Sequence, residues 1–208
     1  MDAGPRFYKR FIDDGFLVWE RGEAALIKYF EIMNEVYPTI KVTYTISSQS
    51  VDFLDLRIFK GSRFESTGTL DFCVHQKVMN KYLYIPFSSF HNPHVKPAFI
   101  KTELIRYARN CSSALAFEGI KKLFFKRLRE RGYPVKFLLK AFRQVSYNDR
   151  EEYLKTAAKS KATPLVMKVP YDPLVENLHL GSILKNGWET LKNASDDPTL
   201  RSWPPPII

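Results

Sequence analysis

Two successive aspartates, Asp13 and Asp14, are the residues of this chain best suited to catalysis. Phe7, Tyr8 and Phe11 precede them, Phe16-Leu17-Val18-Trp19 follow, and Asp14-Gly15 supplies a turn signal. This pattern predicts a tight β-hairpin with both carboxylates at its tip. Two like charges held together call for a cation, so the pair suits a divalent metal such as Mg²⁺. Nucleotidyl transfer uses two such ions to clamp the attacking and leaving oxygens. The competing explanation is a plain turn, where Asp is common without any metal.

A second chemistry is carried by cations. Residues 80–168 hold 19 Lys/Arg against 6 Asp/Glu, a net of +13, whereas residues 1–79 net −1 and residues 169–208 net −2. An excess concentrated in one stretch is the footprint of a polyanion-binding surface. Lys101, Arg106, Arg109, Lys121, Lys122, Lys126, Arg127 and Arg129 are the candidates for phosphate contacts, with solvated helix faces as the alternative. Tyr107, Phe117, Phe124 and Phe125 are interleaved with them and could stack bases, although aromatics at helical spacing more often build a core.

Other constellations point away from catalysis. His91 and His94 bracket Asn92-Pro93 without a Cys or an acid at matching spacing, which favours loop or capping roles over a metal site. Asp52 and Asp55, three apart in an extended stretch, fall on opposite faces of a strand and read as structural. No glycine-rich phosphate loop is present. Cys73 and Cys111 are widely spaced and unpaired by motif, which fits a reducing intracellular setting, the nucleus included. No apolar run approaches a membrane span, so no membrane partner is expected.

The elements that must position these residues form an α+β chain: a short antiparallel sheet with one helix, then a helical bundle. Leu26, Tyr29, Phe30, Met33 and Tyr37 recur at helical spacing up to Pro38. Alternation predicts a strand over Ile40–Ile46, a second over Val51–Phe59 and a third around Leu70, Phe72 and Val74. Pro97 marks a helix start running to Asn110, and Ser112 or Ser113 caps a second helix that Gly132 stops. Pro134 opens a third through Val145, and Asn148 or Asp149 caps a short fourth. Lys155–Lys161 reads as a basic linker, and Leu165-Val166-Met167 as a short apolar run. A last helix carries Leu184, Trp188 and Leu191 on one side, ahead of the extended Pro204-Pro205-Pro206. Composition divides the chain into residues 1–79, 80–162 and 163–208.

Tyr8-Lys9-Arg10-Phe11-Ile12-Asp13-Asp14 resembles the aromatic-x-Asp-Asp palm motif of reverse transcriptases. Four further stretches are similar, in order, to the thumb and downstream segments of Penelope-like retroelement reverse transcriptases. These are Ser88–His94, Arg106–Ser112, Arg131-Gly132-Tyr133-Pro134, and Leu184–Trp188 with Trp203–Ile208. The resemblance implies RNA-directed DNA synthesis with Mg²⁺, a partial palm over 1–79 and a thumb-like bundle over 80–162 that holds an RNA–DNA or DNA duplex. It also implies that Asp13 shares both metals and Asp14 is the weaker ligand. The family's fingers and first palm carboxylate lie ahead of the Asp-Asp hairpin, where this sequence has only twelve residues. An inactive polymerase fragment is therefore expected, one that would need a missing N-terminal half or a partner chain.

Two other readings stand beside that one. The helices near 97–110, 113–131 and 134–145, joined by short turns, suit a helix-turn-helix-like module that binds nucleic acid without catalysis. An apolar palm surface could instead serve purely as an interaction face.

Overall fold

The computed structural model describes residues 4–155, 166 and 179–206. It is a mixed α/β chain with two small antiparallel sheets, as the α+β expectation requires. Strands β1 (Phe7–Phe11) and β2 (Asp14–Val18) form the expected hairpin, with Phe11 opposite Asp14. The turn is therefore Ile12-Asp13, two residues ahead of the Asp14-Gly15 signal. Helix α1 (Glu23–Val36) follows and buries Leu26 and Phe30. It ends because Pro38 forces the preceding Tyr37 into extended backbone, at φ −131° and ψ 126°.

Ile40–Ile46 is not a strand. It forms no ladder, and Ile40 and Tyr44 are exposed. Its backbone is instead held by Asn34 of α1, whose Oδ1 accepts from the Val42 N–H at 2.6 Å while its Nδ2 donates to the Val42 carbonyl at 3.0 Å. A side-chain amide has taken the place of a neighbouring strand, and Phe30 stacks on Tyr44 at 4.2 Å. Val51–Phe59 is also corrected. It is two strands, β3 (Ser50–Phe53) and β4 (Leu56–Phe59), which pair through a Leu54-Asp55 turn. After the one-turn helix α2 (Phe64–Thr67), β5 (Asp71–Val74) completes the meander β3-β4-β5.

The main core lies among three helices: α3 (Val95–Arg109), α4 (Ala114–Glu130) and α5 (Val135–Phe142). Helix α3 starts two residues before Pro97, which sits in the first turn, where a missing N–H costs no intrahelical bond. Ser113 caps α4 by accepting from the Ala116 N–H at 3.2 Å, and Gly132, at φ 84°, turns the chain out of it. Helix α5 stops at Phe142, short of the expected Val145. A 3₁₀ turn (Tyr147–Asp149), capped by Ser146, then leads into α6 (Arg150–Leu154), whose N-cap is Asp149, one of the two residues expected there, though its side chain makes no capping hydrogen bond.

Phe124 is the hub of this core. Its fully buried ring lies 5.1 Å from Tyr84, 5.5 Å from Tyr107 and 5.7 Å from Phe142. Cys73 and Val74 of β5 pack on the same core, so the change of composition near residue 80 is no break in packing. Towards the C-terminus stand α7 (Leu180–Ala194), with Trp188 buried and Leu191 exposed, and α8 (Pro198–Ser202). Except for Lys155 and Val166, the expected basic linker and the Leu165-Val166-Met167 run lie outside the described residues.

Candidate nucleic-acid interface

A polar latch fixes the helical unit on the sheet. The Ser112 N–H, in the α3–α4 turn, donates to the Phe72 carbonyl at 2.8 Å, and the Ser112 Oγ accepts from the Phe72 N–H at 3.0 Å. The same hydroxyl donates to Asp71 Oδ1 at 2.8 Å, and Arg63 pairs with that oxygen. Hydrogen bonds from Arg63 and then Ser112 hold the Asp71 carboxyl below its ordinary range. Gly61 allows this approach, since a Cβ there would lie 2.1 Å from Asp71 Oδ2.

On the other side, residues 84–87 are stitched over the α4–α5 turn. The Phe87 N–H donates to the Arg131 carbonyl at 2.9 Å, and Arg131 Nε to the Tyr84 carbonyl at 2.8 Å. The four-residue turn Arg131-Gly132-Tyr133-Pro134 between α4 and α5 is of the length and composition that joins the two helices of a helix-turn-helix unit.

The eight cations proposed from sequence divide into two groups. Arg106 is committed inside the protein, to Glu103 at 2.6 Å and to Asp55 at 2.7 Å, and the hydrogen bonds to Glu103 hold its guanidinium more firmly protonated than usual. Lys121 pairs with Glu118 at 3.0 Å. Arg127 lies over the Tyr82 ring at 3.7 Å and donates to Gln76 at 2.5 Å. Arg109 and Arg129 each donate to a backbone carbonyl, of Tyr153 and Tyr133. Lys101, Lys122 and Lys126 remain exposed and uncommitted among the described residues.

The sequence-derived set omits a further group on α5 and at its C-cap. Lys136, Lys140 and Arg143 are exposed and recur at the spacing of one helix face. Their side chains make no ion pair among the described residues. The i, i+4, i+7 spacing was available in the sequence, but each lies outside the dense cation run of α4.

The aromatics belong to the core. Tyr107, Phe117 and Phe124 are fully buried and out of reach of a base, and Phe125 is half-buried. Burial, reinforced by the Tyr84 hydroxyl 3.1 Å away, raises the Tyr107 phenol above its ordinary range.

Asp13 occupies the β1–β2 turn and Asp14 the first position of β2, both exposed. Among the described residues no group of three or more His, Cys, Asp or Glu gathers to hold a metal ion. The donor set thus falls short of the two-metal centre that the palm resemblance implies. Asp52 takes two hydrogen bonds from Arg57, at 2.8 and 3.0 Å, which lower its carboxyl, and lies 3.2 Å from His75. Asp52 is on β3 and Asp55 in the turn, rather than on opposite faces of one strand; both make structural ion pairs. His91 hydrogen-bonds Ser89 at 2.8 Å, and His94 precedes α3 without capping it through its side chain.

Part of the helical unit is similar to a known domain family. Residues 83–143 match the family model described as the animal helix-turn-helix domain. The match spans α3, α4, α5 and the two turns between them. Within it stand 13 Lys/Arg against 3 Asp/Glu, a net of +10, equal to the formal net charge of the whole chain. No curated protein and no solved structure shows a significant match to the chain. No helix among the described residues is long and apolar enough to cross a membrane.

Proposed function

We propose that the α3–α5 unit is a helix-turn-helix module that grips a nucleic-acid duplex, with α5 as the helix presented to it. The observation that carries this reading is a coincidence of charge and fold. The stretch similar to the animal helix-turn-helix domain holds a net of +10 while its flanks together are neutral. In such units the helix after the turn enters the major groove, and here that helix bears Lys136 and Lys140 on its exposed side, with Arg143 at its C-cap. Lys126 and Lys101 add uncommitted cations on the neighbouring helices. The test is duplex binding by the full chain and by the Lys136→Ala/Lys140→Ala variant. Each lost phosphate contact should weaken binding and flatten the salt dependence by about 0.9 in log–log slope. Unchanged affinity and slope in the variant would refute the assignment of α5.

A second reading is supported by the β1–β2 hairpin. Its two-residue turn presents Asp13 to solvent beside Asp14, the arrangement that the resemblance to Penelope-like reverse transcriptases asks of a palm hairpin. On that reading the helical unit is the thumb of a retroelement polymerase, inactive without further carboxylates. A thumb tracks backbone shape and should prefer RNA–DNA hybrid, whereas a helix-turn-helix reader discriminates among DNA sequences through base edges. Competition between hybrid, random DNA and selected DNA sites separates the two.

A further inference from the structure

Helices α4 and α5 and the 3₁₀ turn enclose an open groove of about 630 Å³. Phe125, Phe142 and Tyr147 supply aromatic lining, and Leu139, 45% exposed, forms one wall. Phe125 and Phe142 meet edge to face at 5.3 Å, and the Tyr147 hydroxyl is tied inward to the Cys111 carbonyl at 3.1 Å, so the lining is held in place. The rim is cationic. Lys121 is neutralised by Glu118, the one acid at the groove, which leaves Lys122 and Arg143 unmatched among the described residues. Arg143 stands where the exposed face of α5 meets this groove.

We propose that the groove receives one unpaired nucleotide at the junction of a duplex with a single strand, its base against the aromatic lining and its phosphate at Lys122 and Arg143. This rests on the duplex-binding reading above and extends it to a substrate class. Charge complementarity selects the occupant, because two unmatched cations beside an apolar floor fit a base joined to a phosphate. Size argues the same way: the volume is that of a small-molecule site, whereas a docked amphipathic helix needs a trough for anchors spread over two turns. Asn148, exposed at the groove edge, offers an amide for the edge of the base.

The experiment compares the full chain on a blunt duplex and on the same duplex with a short single-stranded overhang carrying a fluorescent adenine analogue. The overhang should bind about tenfold tighter, with the analogue quenched by stacking. Leu139→Ser should abolish both the preference and the quenching while blunt-duplex affinity stays within about twofold, and Lys122→Gln should narrow the preference. Equal affinity for the two duplexes, or a preference that survives Leu139→Ser, would overturn the proposal while leaving duplex binding intact. Failure to bind the blunt duplex, with Leu139-dependent binding of the overhang retained, would instead refute the duplex reading alone. Tighter, Leu139-dependent binding of an acidic amphipathic peptide would assign the groove to a protein and overturn the proposal.

Discussion

Removal of the Asp71 carboxylate should loosen the helical unit from the sheet on which it is mounted. Asp71 is buried and accepts from Ser112 Oγ at 2.8 Å, while the Arg63 partner is about half exposed. A hydrogen bond to a charged group contributes about 1.5–3 kcal/mol, and the exposed Arg63 pair counts for less because water screens it. Asp71→Ala should therefore cost about 2 kcal/mol, or roughly 4–8 °C in Tm for a chain of this size. Asp71→Asn keeps an acceptor for Ser112 and should cost about half as much.

The sign with pH follows from the depressed carboxyl. Its stabilisation is complete above the unfolded value near 3.8 and is lost as pH falls through the lower folded value. Urea denaturation of wild type and Asp71→Asn at neutral pH and in acid should show a gap that closes in acid. Gly61→Ala attacks the same latch through its Cβ, so its cost should shrink sharply in an Asp71→Ala background. A gap constant with pH, or additive costs for Gly61 and Asp71, would refute this account of how the two parts are joined.

Ile12 sits exposed at φ 52°, a region that β-branched residues avoid, so Ile12→Gly should stabilise the chain by about 1 kcal/mol in chemical denaturation. The isolated chain should extend no primer with Mg²⁺ or Mn²⁺, because two-metal transfer needs carboxylates from separate strands. Incorporation abolished by Asp13→Ala would contradict that. Mg²⁺ should bind the Asp13-Asp14 pair only on the order of millimolar or weaker by calorimetry, and a tight stoichiometric site would overturn the reading of two exposed adjacent acids.

The helical half was legible because its signals are local. Ser113, Gly132 and Pro134 are capping and breaking residues, and Ile100, Leu104, Ala108 and Phe117, Ile120, Phe124, Leu128 mark the buried faces at helical spacing. The strand region was legible in part. The β3–β4 turn was missed because Leu54 adopts φ 54° in a position where glycine would normally announce a turn. Ile40–Ile46 alternates like a strand, yet pairing depends on a neighbour, and here Asn34 satisfies Val42 instead. Among the cations, sequence density drew attention to α4. Which charges stay free depends on partners distant in sequence: Asp55 reaches Arg106 and Gln76 reaches Arg127 across some fifty residues. The α5 cations emerge only once that helix is seen to stand after the turn with one side exposed.

The central claim, that the basic helical unit grips a nucleic-acid duplex, is tested most directly by the salt dependence of duplex binding by the full chain. Fluorescence anisotropy across a salt series should give a log–log slope of roughly −3 to −6, as expected for several phosphates neutralised at about 0.9 each. Absence of measurable binding at about 50 mM salt, or a slope near zero, would contradict it and leave the +10 of residues 83–143 as a solvated surface.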